Sequence, residues 1–265
     1  GKIKISGAKA ELLSHYRKKG FRSTPSVADI DGDGYNEIVV EDEAGFIEVL
    51  DLKNDKVPLW KFRAYAQPVW VTWKVQHAPV PIIDLDGDGK KEIICCDNND
   101  EPYTTIYALR HDGSIYWKSE IKGVGPRLTE TIKVGNFRPD GWDVIITILP
   151  TTQPEMLCLD GRTGSIRWHK KSWTDDNGRA WPYPNRCIFY DNNNDGFHEI
   201  YGSYAYIYYV LDGNTGEPIR KPINIWHEVF HRWQAYFSPI PKDYNGDGKI
   251  EFFLASETSS IGGVT

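Results

Sequence analysis

Side-chain oxygens recur along this chain at a spacing that suits a hard cation. In Asp84-Leu85-Asp86-Gly87-Asp88-Gly89-Lys90-Lys91-Glu92, acids occupy positions one, three, five and nine of the segment. The pattern returns as Asp29, Asp31, Asp33 and Glu37, as Asp191, Asn193, Asp195 and Glu199, and as Asp243, Asn245, Asp247 and Glu251. Calcium takes roughly six to eight oxygen ligands, which closely spaced carboxylates, amides and carbonyls supply. Glycines between the ligands permit the positive φ angles needed to wrap a backbone around an ion. About four Ca²⁺ ions in a structural role are expected here. A plain surface turn would not need an acid after the glycines.

An EF-hand does not account for the spacing. Its last acid sits at position twelve, between two helices. Here the acid is ninth and the flanks read as strands. Pro25-Ser26-Val27-Ala28 precedes one loop and Glu37-Ile38-Val39-Val40-Glu41 follows it, while Glu92-Ile93-Ile94-Cys95-Cys96 follows the next. Short apolar runs bounded by turn residues are strand signals.

The elements that hold these loops repeat with them. Between the second and third full loops lies Val134-Gly135-Asn136-Phe137-Arg138-Pro139-Asp140-Gly141-Trp142-Asp143, of the same shape but one residue shorter. Arg138 stands at a ligand position, so this copy reads as a degenerate repeat without metal. Counted from Asp29 through Asn136, the first positions are then 55, 52, 55 and 52 residues apart. A fixed period of this size marks a propeller or a solenoid.

Each loop is followed by a second hairpin with a Gly-containing turn. Examples are Met156-Leu157-Cys158-Leu159 leading to Ile166-Arg167-Trp168, and Ile106-Tyr107-Ala108-Leu109 leading to Ile115-Tyr116-Trp117. Two hairpins make a four-stranded blade. The expected fold is therefore all-β, a single β-propeller domain over residues 1–265. Blade five shows two strands, around Ser238–Lys242 and Ile250–Ala255, before the chain stops. An N-terminal hairpin over residues 2–16 would complete it, pairing with the strand that carries Phe252 and Phe253 and closing a five-bladed ring. The alternative is a fragment of a larger propeller.

The loops DIDGDGYNE and DLDGDGKKE resemble FG-GAP/VCBS-type calcium propeller repeats, and their nearest flavour is the propeller of rhamnogalacturonan lyases, polysaccharide lyase family 11. Turns such as LDGRTGSIRW are also similar to quinoprotein-type blades. The resemblance covers nearly the whole chain at repeat level and implies the fold and calcium. Those lyases have eight blades and are much longer. Their catalytic residues cannot be matched here.

Long aromatic connections between blades are the expected recognition surface. They carry Trp70, Trp73 and His77, then Trp181 and Tyr183, then Trp226 and Trp233. Flat aromatic faces with a polar edge suit sugar rings. His227-Glu228-Val229-Phe230-His231 matches H-E-x-x-H, but that motif binds zinc only on a helix. A β-elimination reading would use His227, His231, Arg232 and Tyr236 as base and charge neutralisers against a uronate. It makes a polysaccharide lyase the alternative to a binding propeller, with a structural or assembly module as the third possibility.

The remaining composition bounds the partners. The formal charge is −6, and the four full loops alone hold fourteen carboxylates, so four bound Ca²⁺ would more than cancel it. No basic stripe argues for nucleic acid, and no apolar run is long enough to span a membrane. Carbohydrate or an extracellular protein is the expected partner. The four cysteines form no metal or disulfide framework. Adjacent Cys95 and Cys96 should point to opposite faces of a strand. Weak calcium sites suit extracellular fluid, which favours a secreted protein.

Overall fold

The computed structural model describes residues 24–42, 44–51, 56–64, 79–97, 103–122, 132–148, 155–184, 186–204, 207–224, 240–247, 250–255 and 261–264. Among them there is no helix, and hence none long and apolar enough to cross a membrane. The strands form successive antiparallel meanders. Blade one holds β1 (Ser26–Ala28), β2 (Glu37–Glu41), β3 (Phe46–Asp51) and β4 (Lys56–Arg63) in that order. Blade two holds β5 (Ile82–Ile83), β6 (Glu92–Cys96), β7 (Tyr103–Leu109) and β8 (Ile115–Lys122). Blade three holds β9 (Ile132–Arg138), β10 (Gly141–Ile148), β11 (Glu155–Asp160) and β12 (Ile166–Lys170). A separate ribbon of β13 (Ser172–Thr174) and β14 (Ala180–Pro182) follows. Blade four holds β15 (Arg186–Tyr190), β16 (Glu199–Tyr204), β17 (Ile207–Asp212) and β18 (Ile223–Asn224). The fifth sheet is β19 (Ile240–Lys242), β20 (Glu251–Ala255) and β21 (Ile261–Val264). The chain is a β-propeller of four-stranded blades.

The repeat alignment is visible in the register. In each of the five sheets that carry a loop, the residue before the loop pairs with the acid that ends it: Ala28 with Glu37, Ile83 with Glu92, Gly135 with Asp143, Tyr190 with Glu199 and Lys242 with Glu251. The short third loop keeps step because a bulge at Gly141/Trp142 restores the register. Asp143 is thus the third blade's counterpart of the ninth-position glutamates.

The hydrophobic cores lie between consecutive blades. One joins blades one and two around Val39, Val49 and Ile93, and the next joins two and three around Ile94, Ile106 and Val144. A third joins three and four around Ile145, Cys158 and Tyr209, and a fourth joins four and five through Tyr201, Tyr208 and Phe252. The middle strands therefore bury both faces. Cys95 and Cys96 show this directly, since the first belongs to one core and the second to the next.

A tryptophan staple crosses three of the interfaces. Trp60, Trp117 and Trp168 lie on the last strands of blades one, two and three. Their indole N–H groups donate to the carbonyls of His111, Gly161 and Gly213 in the next blade, at 2.7, 2.7 and 3.2 Å. The rings lie against Gly113, Gly164 and Gly216, whose φ values are 83°, 70° and 70°. A Cβ at those glycines would come 2.9, 2.5 and 2.9 Å from the indole. Positive φ and the packed ring thus exclude a side chain at the same residue.

The fifth sheet differs from expectation. Its third strand is β21, from the chain's own C-terminal segment, and it pairs with β20 as β19 does on the other side. Both edges of the Phe252–Phe253 strand are taken, so a hairpin over residues 2–16 cannot pair there. Residues 1–23 lie outside the described residues.

Candidate metal centres

Each acid loop is drawn shut by its own carboxylates. In blade one, Asp29 accepts from the N–H groups of Gly32 (2.8 Å) and Gly34 (3.0 Å), Asp31 from Asp33 (3.1 Å), and Asp33 from Tyr35 (2.8 Å). Glu37 reaches back from β2 to accept from Ile30 N at 2.9 Å. Blade two repeats the set: Asp84 takes Gly87 and Gly89, Asp86 takes Asp88, Asp88 takes Lys90, and Glu92 takes Leu85 at 2.9 Å. The glycines at the fourth position, Gly32 and Gly87, have φ of 80° and 84°.

Folding this way crowds like charges. Oxygens of Asp29, Asp31 and Asp33 lie within 4.8 Å of one another, as do those of Asp84, Asp86 and Glu92. Burial pushes Glu92 up to about 7, with Asp86, Asp88 and Asp84 adding repulsion and the Leu85 N–H opposing both. Glu37 is raised for the same reasons. An all-oxygen, strongly anionic donor set of this kind fits a hard divalent cation.

Blades four and five carry an amide at the third position. Asn193 and Asn245 each turn Nδ2 to the fifth-position acid, Asp195 at 2.9 Å and Asp247 at 3.2 Å. Glu199 and Glu251 still accept from Asn192 N and Tyr244 N, at 2.9 and 2.8 Å. Among the described residues, three carboxylate oxygens do not converge in these two loops as they do in the first two. The loops also touch one another. Lys91 N donates to Ile30 O at 2.9 Å, and His198 N to Asn136 O at 2.7 Å, so neighbouring loops share one rim.

In blade three a guanidinium stands among the acids. Arg138 places Nε 3.3 Å from both Asp143 oxygens and Nη1 3.2 Å from Asp140, and also pairs with Asp160. Arg167 reaches the same Asp143 from β12. Asp143 is 0% exposed, and its burial raises its pKa against the pull of the two arginines.

The aromatic segments are only partly in view. Trp70, Trp73, His77, Trp226, Trp233, His227, His231, Arg232 and Tyr236 lie outside the described residues. Trp181 and Tyr183 do not sit on an open platform. Trp181 pairs across the ribbon with Trp173, donates to Asp175 at 3.0 Å and carries Arg179 over its ring at 3.9 Å. Tyr183 is 1% exposed and stacks on Tyr209 with centroids 6.0 Å apart. It belongs to the core between blades three and four, because the connection folds into its own ribbon over that core.

A scan against protein-family models finds no match, and neither does a search of curated proteins. Solved structures show a shared fold. A Bacillus licheniformis rhamnogalacturonan lyase PL11 superposes with a TM-score of 0.62 at 16% identity, over 89% of this chain and 46% of its own. An exotype rhamnogalacturonan lyase, YesX, gives 0.58 at 17% identity over 89% and 45%. The V. cholerae biofilm matrix protein Bap1 gives 0.51 at 12% identity over 88% and 59%. The chain thus spans less than half the length of the two lyases.

Proposed function

We propose that this chain is a calcium-stabilised β-propeller that works outside the cell and binds carbohydrate. The observation that carries calcium is the convergence of three carboxylates within 4.8 Å in each of two neighbouring loops. Asp29, Asp31, Asp33 and Glu37, with their counterparts in blades two, four and five, would hold the ions. A bound ion supplies the positive charge that lets these acids stay ionised at close range. The residues themselves fix the loop, every acid of the first two loops being already tied to a backbone N–H. Calcium loops of modest affinity work where the ion is abundant, in extracellular fluid.

Carbohydrate as the ligand class is supported by the neighbours' names, two of which are rhamnogalacturonan lyases. The same two names support a second reading, a lyase that acts on an acidic polysaccharide through His227, His231, Arg232 and Tyr236. One experiment addresses both readings. The calcium-loaded chain is screened against acidic and neutral polysaccharides, with binding and the ultraviolet absorbance of unsaturated uronate read together. Binding without absorbance supports the first reading and absorbance the second. No binding to any polysaccharide overturns both.

A further inference from the structure

A cavity of about 550 Å³ opens between blades four and five, beside the acid loop of blade four. Its volume suits a small ligand. One wall is aromatic: Tyr201 stacks on Phe252 with centroids 4.1 Å apart, and Tyr190 meets Phe252 edge-on at 6.5 Å. Asn192, Asn194 and the exposed Arg220 also line the cavity.

Two observations set this cavity apart from a packing gap. Arg220 is exposed, and no carboxylate pairs with it among the described residues. Its charge nonetheless acts on the phenols of Tyr201 and Tyr208. Finally, Asn194 has φ of 58° at the position that is glycine in the other three full loops, namely Gly32, Gly87 and Gly246. A side chain kept in that conformation costs the loop something that glycine would not.

The geometry points to this cavity as a subsite for one carboxylate-bearing sugar ring, with its carboxylate on Arg220, its apolar face on Tyr190 and its hydroxyls on Asn192 and Asn194. A single cation beside the Glu199 carboxylate disfavours phosphate, whose recognition draws on several charge-assisted donors. A neutral sugar would shield Arg220 from water without pairing it, and an unpaired charge is costly to desolvate. The inference rests on the carbohydrate reading above and names its ligand class and place.

Isothermal titration of the calcium-loaded chain with tri-galacturonic acid, and with its carboxyl-reduced neutral counterpart, tests it. The acidic trisaccharide should bind at least tenfold more tightly than the neutral one. Arg220→Met should erase that difference without changing the melting temperature, since the side chain is exposed. Asn194→Gly, which suits the backbone there, should weaken the acidic ligand severalfold. Acidic binding unchanged in Arg220→Met, or equal binding of the neutral trisaccharide, would overturn the subsite and leave the carbohydrate reading standing. If the wild-type chain binds neither trisaccharide, the subsite is overturned, and the polysaccharide screen decides the broader reading separately.

Discussion

The loops of blades two and three solve one electrostatic problem in two ways. Both turn between strands in the same register and end in a buried acid, Glu92 or Asp143. In blade two, Asp84, Asp86 and Glu92 face one another, and among the described residues no basic side chain forms an ion pair with them. In blade three, Arg138 replaces the acid at the third position and reaches Asp140, Asp143 and Asp160. In that loop the countercharge is covalently attached. The other design, on the function proposed here, leaves that charge to be supplied by a divalent ion.

If that contrast is right, removing calcium should produce the largest effect. A ligand that binds only the native state at a hundred times its Kd contributes about 2.7 kcal/mol per site. Chelation should therefore cost several kcal/mol across the full loops and lower the melting temperature by many degrees. Identical melting curves with and without chelator would remove the metal half of the comparison.

Breaking the other half comes next. Arg138→Ala leaves Asp143, which is 0% exposed, with Arg167 alone among its described cationic partners. Removing one partner of a buried ion pair costs about 3–5 kcal/mol. The loss should be the same size in calcium and in chelator, as read from denaturant midpoints. A loss that calcium repairs would mean the third loop can recruit an ion after all.

A smaller effect is expected at the staples that keep neighbouring loops on one rim. Gly164→Ala sets a Cβ against Trp117 at φ of 70°, and overpacking of this kind costs about 1–3 kcal/mol. Trp117→Phe should lose less, about 1 kcal/mol for the hydrogen bond to Gly161 O. Melting curves of the two variants check the order.

What the sequence made legible was local. Acids and glycines at fixed short spacing mark the loops, and apolar runs beside them mark the strands, so the blades and the repeat at Asn136 could be placed without coordinates. The staples were not legible, because Trp117 and Gly161 are 44 residues apart and meet only when two blades pack. Tyr183 was misplaced for a related reason: its segment looks like a connection, yet it folds as β13 and β14 over a core. The strand Ile261–Val264 escaped notice because two of its four residues are glycine, which weakens any strand signal. Arg220 carried no signal at all, since only the packing of blades four and five gives it a cavity to face.

The finest test of the comparison exchanges a single oxygen-bearing group between loops. Asp31→Asn gives the first loop the third-position amide that Asn193 and Asn245 give the others. Without metal the change removes one of three charges held within 4.8 Å, so the calcium-free protein should gain stability, by about 1 kcal/mol if the effective dielectric is high at this exposed rim. With calcium it removes one anionic ligand, so affinity should fall. Asn193→Asp should do the reverse on both counts, adding repulsion in chelator and affinity in calcium. Opposite signs in the two conditions are the signature of carboxylates held together for a cation. If both variants shift stability the same way with and without calcium, the third position is only a turn residue, and the distinction between the two kinds of loop loses its electrostatic meaning.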